Sequence, residues 1–203
     1  MLTGGSGSVL IGHDWGAHAG YGAVVSDPGA YARLVTLAVP PTNALGESMF
    51  SYQQLKRSFY IWFIQQVGLA EFALLQPGFW ESLWADWSPG YDATDDIARL
   101  RAVATEATIG GMVSPYRASF NVEFGDPEAV AEAVATMTAP PVRTLYIHGT
   151  DDGAIGAELL ADVAAHLPAP GSSFRLLDGV GHFLHLEQPA RVAEVVCRWL
   201  QND

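Results

Sequence analysis

Two acidic segments and one histidine segment carry side chains that could do covalent chemistry. Asp14 stands in "GHDWG", directly after the apolar run "SVLIG". An acid pair follows another apolar run in "HGTDDG", and a histidine follows a third in "DGVGHFLHLEQP". A carboxylate or hydroxyl nucleophile, an acid and a histidine are the groups that nucleophilic catalysis requires. The three segments therefore contain the candidate catalytic residues.

The segment "GHDWG" predicts a tight turn between a strand and a helix. Its pattern, G-x-D-x-G, matches a nucleophile elbow, which holds the central side chain above a sheet. Gly12 and Gly16 would let the strand and helix approach closely, and the positive end of the helix would face Asp14. Aspartate is also a favoured helix cap, so these five residues alone leave an ordinary capped turn open.

Four runs of aliphatic and β-branched residues predict the strands that must position these groups. The runs are "SVLIG" ending at Gly12, "RLVTLAV" ending at Val39, "VRTLYIHG" ending at Gly149 and "FRLLDG" ending at Gly179. They are continuous rather than alternating, as in parallel strands covered on both faces. Helical spacing follows the third run, at Leu159, Leu160, Val163 and Leu167, and the fourth, from Val192 to Leu200. Alternating strands and helices predict an α/β fold with a parallel sheet and flanking helices.

The residues from about 41 to 140 break this alternation. They hold four of the six tryptophans and helical patterns in "SYQQLKRSFYIWFIQQVG" and "DPEAVAEAVATM". We therefore predict that 1–40 and 141–203 form the core domain and that 41–140 form a helical lid. The lid should cover the carboxyl ends of the strands, where ligands collect in such folds.

The composition of the chain limits the classes of molecule that it is expected to bind. A net charge of −12 disfavours nucleic acid and anionic membrane surfaces, which leaves small molecules. We expect no export signal, and no apolar run is long enough to span a bilayer. Its single cysteine, Cys197, lies in a helical pattern and is expected to be a packed thiol in a reducing, cytoplasmic compartment. The six histidines lack metal-ligand spacing, so we expect neither metal nor cofactor.

Together these segments resemble the α/β-hydrolase superfamily, and within it the epoxide hydrolase branch with an aspartate nucleophile. The chain order of nucleophile, acid and histidine is the order of that superfamily. The resemblance implies that Asp14 is the nucleophile, His182 the general base and Asp152 the acid that orients it. Asp152 is preferred to Asp151 because the family acid lies three residues after the strand-ending glycine. His182 is preferred to His185 because the family histidine directly follows a glycine.

The resemblance also implies a reaction. The aspartate would displace a leaving group from saturated carbon, and water activated by His182 would hydrolyse the resulting alkyl ester. The backbone N–H of Trp15 would stabilise the oxyanion. In this branch two lid tyrosines protonate the leaving oxygen, and "SFYIWFIQQVGLAE" and "SPYRASF" resemble their motifs at Tyr60 and Tyr116. Without that likeness Tyr60 reads as a core aromatic residue.

Two other functions stay open at this stage. A haloalkane dehalogenase would use indole N–H donors for the halide, and Trp15 with a lid tryptophan could supply them. A non-catalytic binder of small molecules would keep the pocket without the reaction. Under the favoured interpretation the substrate is a small apolar epoxide.

The chain departs from the family pattern before its first strand. Family members carry several strands there and a loop, His-Gly followed by an aromatic residue and Pro, which supplies a second oxyanion donor. We expect the sequence to be part of a longer enzyme; pairing with a second chain, for example in a dimer, and an inactive remnant are the alternatives. In each case "SVLIG" is expected to form an apolar edge strand.

Overall fold

At the centre of the molecule lies a parallel sheet of four strands, seen in a computed structural model that describes residues 7–121 and 123–202. The strands are β1 Ser8–His13, β2 Tyr31–Leu37, β3 Arg143–Gly149 and β4 Ser173–Leu177. They lie side by side in chain order, and each neighbouring pair is parallel. The predicted α/β class, the four strands and the parallel sheet are confirmed.

The register of the strands aligns their carboxyl ends. Gly12 of β1 lies beside Thr36 of β2, and Gly149 of β3 lies beside Leu177 of β4. The segments that follow β1, β3 and β4 therefore leave the sheet at the same edge. These are the segments that carry Asp14, the acid pair and the histidines.

The α-helices follow β1, β2 and β4. In chain order they are α1 Trp15–Ser26, α2 Thr42–Leu45, α3 Tyr52–Arg57, α4 Phe59–Ile64, α5 Leu69–Leu74, α6 Phe79–Trp87, α7 Thr94–Val103, α8 Ile109–Phe120, α9 Pro127–Ala135, α10 Leu184–Glu187 and α11 Pro189–Gln201. A 3₁₀ turn, Glu47–Phe50, follows α2. We call the stretch from α2 to α9 the helical segment.

The two faces of the sheet are covered by different helices. On one face, α1 packs Tyr21 and Val24 against Leu34 of β2. Val35, the next residue, points to the opposite face, where it joins a cluster with Val196 of α11. Both strand residues are fully buried, and burial of each aliphatic side chain contributes about 1.5–3 kcal/mol.

The helical segment has an apolar cluster of its own, formed by residues from four of its helices. Its buried members are Tyr60, Ile61, Ile64, Leu74, Leu83, Ile109 and Val113. The continuous helix suggested by "SYQQLKRSFYIWFIQQVG" is interrupted: Ser58 (φ −86°, ψ 15°) separates α3 from α4. The break turns α4 so that Tyr60, Ile61 and Ile64 enter this cluster.

One predicted helix is wrong. The residues from 157 to 167 form two 3₁₀ turns, Ala157–Leu160 and Val163–His166, instead of an α-helix. Each turn buries one apolar side chain, Leu160 in the first and Val163 in the second. Pro168 then prevents the preceding residue from continuing a helix.

The expectation of a packed thiol at Cys197 is also wrong, because the residue is exposed. The buried residues of α11 are Val192, Val196 and Trp199. Cys197 follows Val196 by one position, which turns its side chain about 100° around the helix and away from the sheet.

β1 forms one edge of the described sheet, as expected. Its outward-facing residues Val9 and Ile11 are 41% and 54% exposed, so apolar surface and unpaired backbone groups lie together there. Among the helices of the described ranges, none has the length and apolar character needed to cross a membrane.

The geometry of the turn after β1 predicts unequal effects of alanine at its two glycines. A Cβ at Gly12 would overlap the carbonyl group of Gly16, whereas a Cβ at Gly16 would meet no described atom within 4 Å. Gly12→Ala should therefore lower the free energy of unfolding by about 1–3 kcal/mol, measured by urea denaturation. Gly16→Ala, inside α1, should leave it unchanged or raise it. Equal losses for both variants would mean that the turn is not packed in this way.

Candidate active site

Asp14 occupies a strained turn between β1 and α1. Its backbone angles, φ 51° and ψ −120°, lie in a region that residues other than glycine rarely adopt, and such strain costs about 1–3 kcal/mol. The strain is sustained by the close approach of Gly12 to the carbonyl of Gly16, which only glycine permits at position 12. The expectation that Gly16 is also sterically required is wrong. The predicted elbow itself is present.

The three predicted catalytic side chains meet above the ends of the strands. His182 Nε2 lies 3.3 Å from Asp14 Oδ1, and His182 Nδ1–H donates to Asp152 Oδ2 at 3.0 Å. The side chains of His182 and Asp152 are buried, whereas the Asp14 side chain keeps a third of its exposure. The geometry thus forms a line of carboxylate, imidazole and carboxylate, with Asp14 at its open end.

The two alternative residues lie elsewhere. Asp151 is exposed and accepts a hydrogen bond from the Thr150 hydroxyl. The His185 ring lies 4.4 Å from the ring of His13. Within the described residues it makes no hydrogen bond or ion pair with the carboxylate of Asp14 or of Asp152. The preference for Asp152 and His182 therefore agrees with the distances.

The two carboxylates determine the charge of the imidazole. Burial alone would lower the pKa of His182, but Asp152 first and Asp14 next raise it to about 10. Burial would raise the pKa of Asp14, but the hydrogen bond and charge of His182 lower it to about 2. At neutral pH the site therefore holds an imidazolium between two carboxylates.

The loop after β3 carries Asp152, and we call it the acid loop. Its backbone N–H groups hold the Asp152 carboxylate in place. Asp152 Oδ1 accepts hydrogen bonds from the N–H groups of Ala154 (2.8 Å) and Ile155 (2.9 Å). His148 Nε2–H donates to the Ile155 carbonyl at 3.0 Å. Since burial lowers the pKa of His148, its ring is neutral and accepts a hydrogen bond from Tyr146 at Nδ1. One Asp152 oxygen is thus held by the loop while the other faces His182.

The loop after β4 carries His182, and we call it the histidine loop. Hydrogen bonds hold it from two sides. His13 Nε2–H donates to the carbonyl of His182 at 3.0 Å. Burial first, and the charge of His182 second, lower the pKa of His13 to about 4, so this ring is neutral. On the other side, the Glu187 carboxylate accepts the N–H of Gly181 at 2.8 Å.

The end of α6 joins the acid loop and the histidine loop. The Trp87 carbonyl accepts the N–H of both Gly153 (3.1 Å) and His182 (2.9 Å), and the Ser88 hydroxyl accepts the N–H of Phe183 (3.0 Å). A Cβ at Gly153 would overlap the backbone of α6. No sequence pattern predicts this junction, because a backbone carbonyl leaves no signal in the sequence.

Tyr60 and Tyr116 lie together on the helical side of the site. Their ring centroids are 5.8 Å apart, and the Tyr116 ring stands edge-on to Trp15 at 5.0 Å. Burial raises the pKa of both phenols, and the Asp14 charge adds to the rise in each case. Both hydroxyls are therefore protonated at neutral pH. Tyr60 is also a buried member of the apolar cluster of the helical segment, as expected of a core aromatic residue.

Arg117, the residue after Tyr116, fastens the helices that carry the tyrosines. Its guanidinium donates to the Ile64 carbonyl at 2.9 Å and to both Glu71 oxygens, at 2.5 and 3.0 Å. The Arg117 hydrogen bond lowers the pKa of Glu71 to about 2. Gln65 adds a hydrogen bond to the Tyr116 carbonyl. The separation of the two phenols thus depends on a buried arginine that the sequence analysis did not single out.

The predicted oxyanion donor is the backbone N–H of Trp15, the first residue of α1. Trp15 has its backbone N–H at the start of the helix, and this group acts on the Asp14 carboxylate, contributing to its low pKa. Helix N-termini leave such N–H groups without intrahelical partners. In the described ranges, no three acidic, histidine or cysteine side chains converge as metal ligands.

Comparison with known proteins agrees with this fold. The family described as "Alpha/beta hydrolase family" matches residues 2–195. An epoxide hydrolase of Caballeronia sordidicola is 26% identical, across 97% of this chain and 67% of its own length. The chain spans 52–67% of the length of the curated relatives that it matches.

Two solved structures illustrate the range of similar folds. The epoxide hydrolase of Bacillus megaterium has a TM-score of 0.61 and 17% identity, covering 98% of this chain and 71% of its own. A loop variant of the haloalkane dehalogenase DbeA from Bradyrhizobium elkanii has a TM-score of 0.71 and 17% identity, covering 96% and 67%. With the sheet, the elbow and the family match together, the chain belongs to the α/β hydrolase family.

Proposed function

We propose that the protein hydrolyses small apolar epoxides to diols through an ester of Asp14. The observation that carries the proposal is the position of His182, which lies within reach of Asp14 and is held by Asp152. Two protonated phenols near Asp14 supply the proton that an epoxide oxygen needs. The Caballeronia relative, which is called an epoxide hydrolase, supports the same choice.

In the first step the Asp14 carboxylate attacks a ring carbon of the epoxide. A bond forms between the carboxylate oxygen and that carbon, while the carbon–oxygen bond of the ring breaks. The leaving alkoxide is strongly basic and takes a proton from Tyr60 or Tyr116. The product is a hydroxyalkyl ester of Asp14.

Ester formation changes the charge around His182. It removes the negative charge of Asp14, one of the two carboxylates that raise the pKa of His182. The imidazolium can then return a proton to the phenolate and become neutral. The phenol is thereby restored, so the net source of the proton that the substrate gains in the first step is His182.

In the second step neutral His182 takes a proton from water, and the oxygen attacks the ester carbonyl of Asp14. The N–H of Trp15 stabilises the oxyanion, as its contact with the carboxylate suggests. Collapse of the tetrahedral intermediate releases the diol, with the second water proton on its new hydroxyl. The ionised Asp14 and the imidazolium are restored.

We further propose the division of labour between domains. Residues 1–40 and 141–203 form the catalytic core, and 41–140 act as a lid that supplies the proton donors. The aromatic rings of Trp15, Tyr60 and Trp87 around the site favour an apolar substrate.

Dehalogenation is the second candidate, favoured by one observation. Among the described residues, no group accepts a hydrogen bond from the buried indole N–H of Trp87, and this ring lies 4.8 Å from Tyr60 and 5.7 Å from His182. A halide ion would be a suitable acceptor there. The two phenols have no function in that reaction, because a halide leaves without a proton.

Replacing the histidine should trap the ester. In His182→Gln the first step needs only Asp14 and the phenols, whereas the second loses its base and should slow about 10²- to 10⁴-fold. Intact mass spectrometry with an aryl epoxide should show one adduct in this variant and none in His182→Gln combined with Asp14→Asn. Ligand binding without any adduct or diol would instead indicate a non-catalytic binder.

Removing both phenols should separate the two candidate reactions. Tyr60→Phe with Tyr116→Phe should slow epoxide opening about 10²- to 10⁴-fold, because the alkoxide then leaves without a proton donor. Turnover of an alkyl bromide should change far less. If both rates fall equally, the phenols are not proton donors.

A further inference from the structure

A glutamine of the helical segment touches the loop that carries the acid. Gln54 of α3 is fully buried. Its Nε2 donates to the Ala154 carbonyl at 2.8 Å and to the Ser58 hydroxyl at 2.7 Å, and its Oε1 accepts the N–H of Gly156 at 3.2 Å. One side-chain amide therefore pairs with a carbonyl and an N–H two residues apart, as a neighbouring strand would.

Two residues of the same stretch, Ala154 and Ile155, hold Asp152 from the other side. The N–H groups of Ala154 and Ile155 donate to Asp152 Oδ1, and the Ile155 carbonyl accepts from His148. The hydrogen-bonding groups of this short stretch are thus shared between the acid, His148 and Gln54. Its conformation sets the direction in which Asp152 Oδ2 faces His182.

The amide of Gln54 carries both the donor and the acceptor that the backbone groups of Ala154 and Gly156 need. A buried carbonyl and a buried N–H without partners are costly, so the loop would shift to find new ones if the amide were lost. Only a side chain with a donor and an acceptor on one rigid plane satisfies both groups at once. The nearby Arg57–Glu158 ion pair also joins α3 to this region, but it is partly exposed and contributes little.

We infer that Gln54 is a positioning residue for the acid: its amide fixes the stretch 154–156, which fixes Asp152, which holds His182 against Asp14. The helical segment thereby takes part in aligning the catalytic groups as well as covering them. This inference rests on the proposed function for its effect on turnover, but its structural part concerns the hydrogen bond between Asp152 and His182 alone.

The direct test follows the His182 Nδ1 proton in the far-downfield region of the proton NMR spectrum, in the free protein. Gln54→Met keeps the size of the side chain and removes both amide groups. The resonance should move upfield or broaden through exchange with water, and diol formation should fall about 10- to 100-fold. Gln54→Glu, which keeps the acceptor for Gly156 but not the donor, should change the resonance in the same direction if Gln54→Met does not fold.

Leu74→Ala is the matched control. Leu74 lies buried in the apolar cluster of the helical segment and has no recorded hydrogen bond to the acid loop within the described residues. This variant should lower the midpoint of urea unfolding but leave the downfield resonance in place. An unchanged resonance in both Gln54 variants overturns the inference, whatever their activity.

The readout also separates this inference from the proposed function. If the wild-type protein forms no diol but the resonance responds to Gln54→Met, the proposed function fails and the positioning role stands. If diol forms and the resonance ignores both Gln54 variants, the proposed function stands and the positioning role fails.

Discussion

A buried imidazole shared by two carboxylates is the interaction on which the rest of the site depends. Burial opposes a charge on His182, and the site offsets that cost with Asp152 on one side and Asp14 on the other. Because the pKa of His182 is raised from 6.5 to about 10 in the folded protein, the stability that its charge contributes is complete below about pH 6.5 and is lost progressively as the pH rises through about 10. The pKa of Asp14 is lowered instead, so the stability that its charge contributes is lost as the pH falls through about 2.

The parallel sheet makes this arrangement possible. Because the strands run in one direction and are aligned in register, the segments after β1, β3 and β4 all leave at one edge. Close backbone contacts then bring the side chains within hydrogen-bonding distance. Gly12 allows the strained turn at Asp14, and Gly153 allows the acid loop to reach the Trp87 carbonyl. Small residues at these two places are as necessary to the geometry as the charged ones.

The features predicted from the sequence are those with a local signal. Continuous apolar runs predict all four strands, the two buried central ones and the two edge strands, and the residues around Asp14, Asp152 and His182 predict the turns that follow. The predictions for Cys197 and for the stretch from 157 to 167 are wrong, because helical periodicity alone does not reveal which face is covered or whether the chain continues as one helix. Gln54 and the Trp87 carbonyl could not be found at all. A buried glutamine looks like any polar helix residue, and its role depends on partners about a hundred positions away.

The arrangement of the site requires that His182 is charged in the free protein, because two carboxylates flank it. An NMR titration of the His182 ring protons measures this charge. We expect a pKa of about 10 in the wild type, and a fall of about one to three pH units in Asp14→Asn, which removes one carboxylate. A wild-type pKa near 6.5 that is unaffected by Asp14→Asn would contradict this requirement.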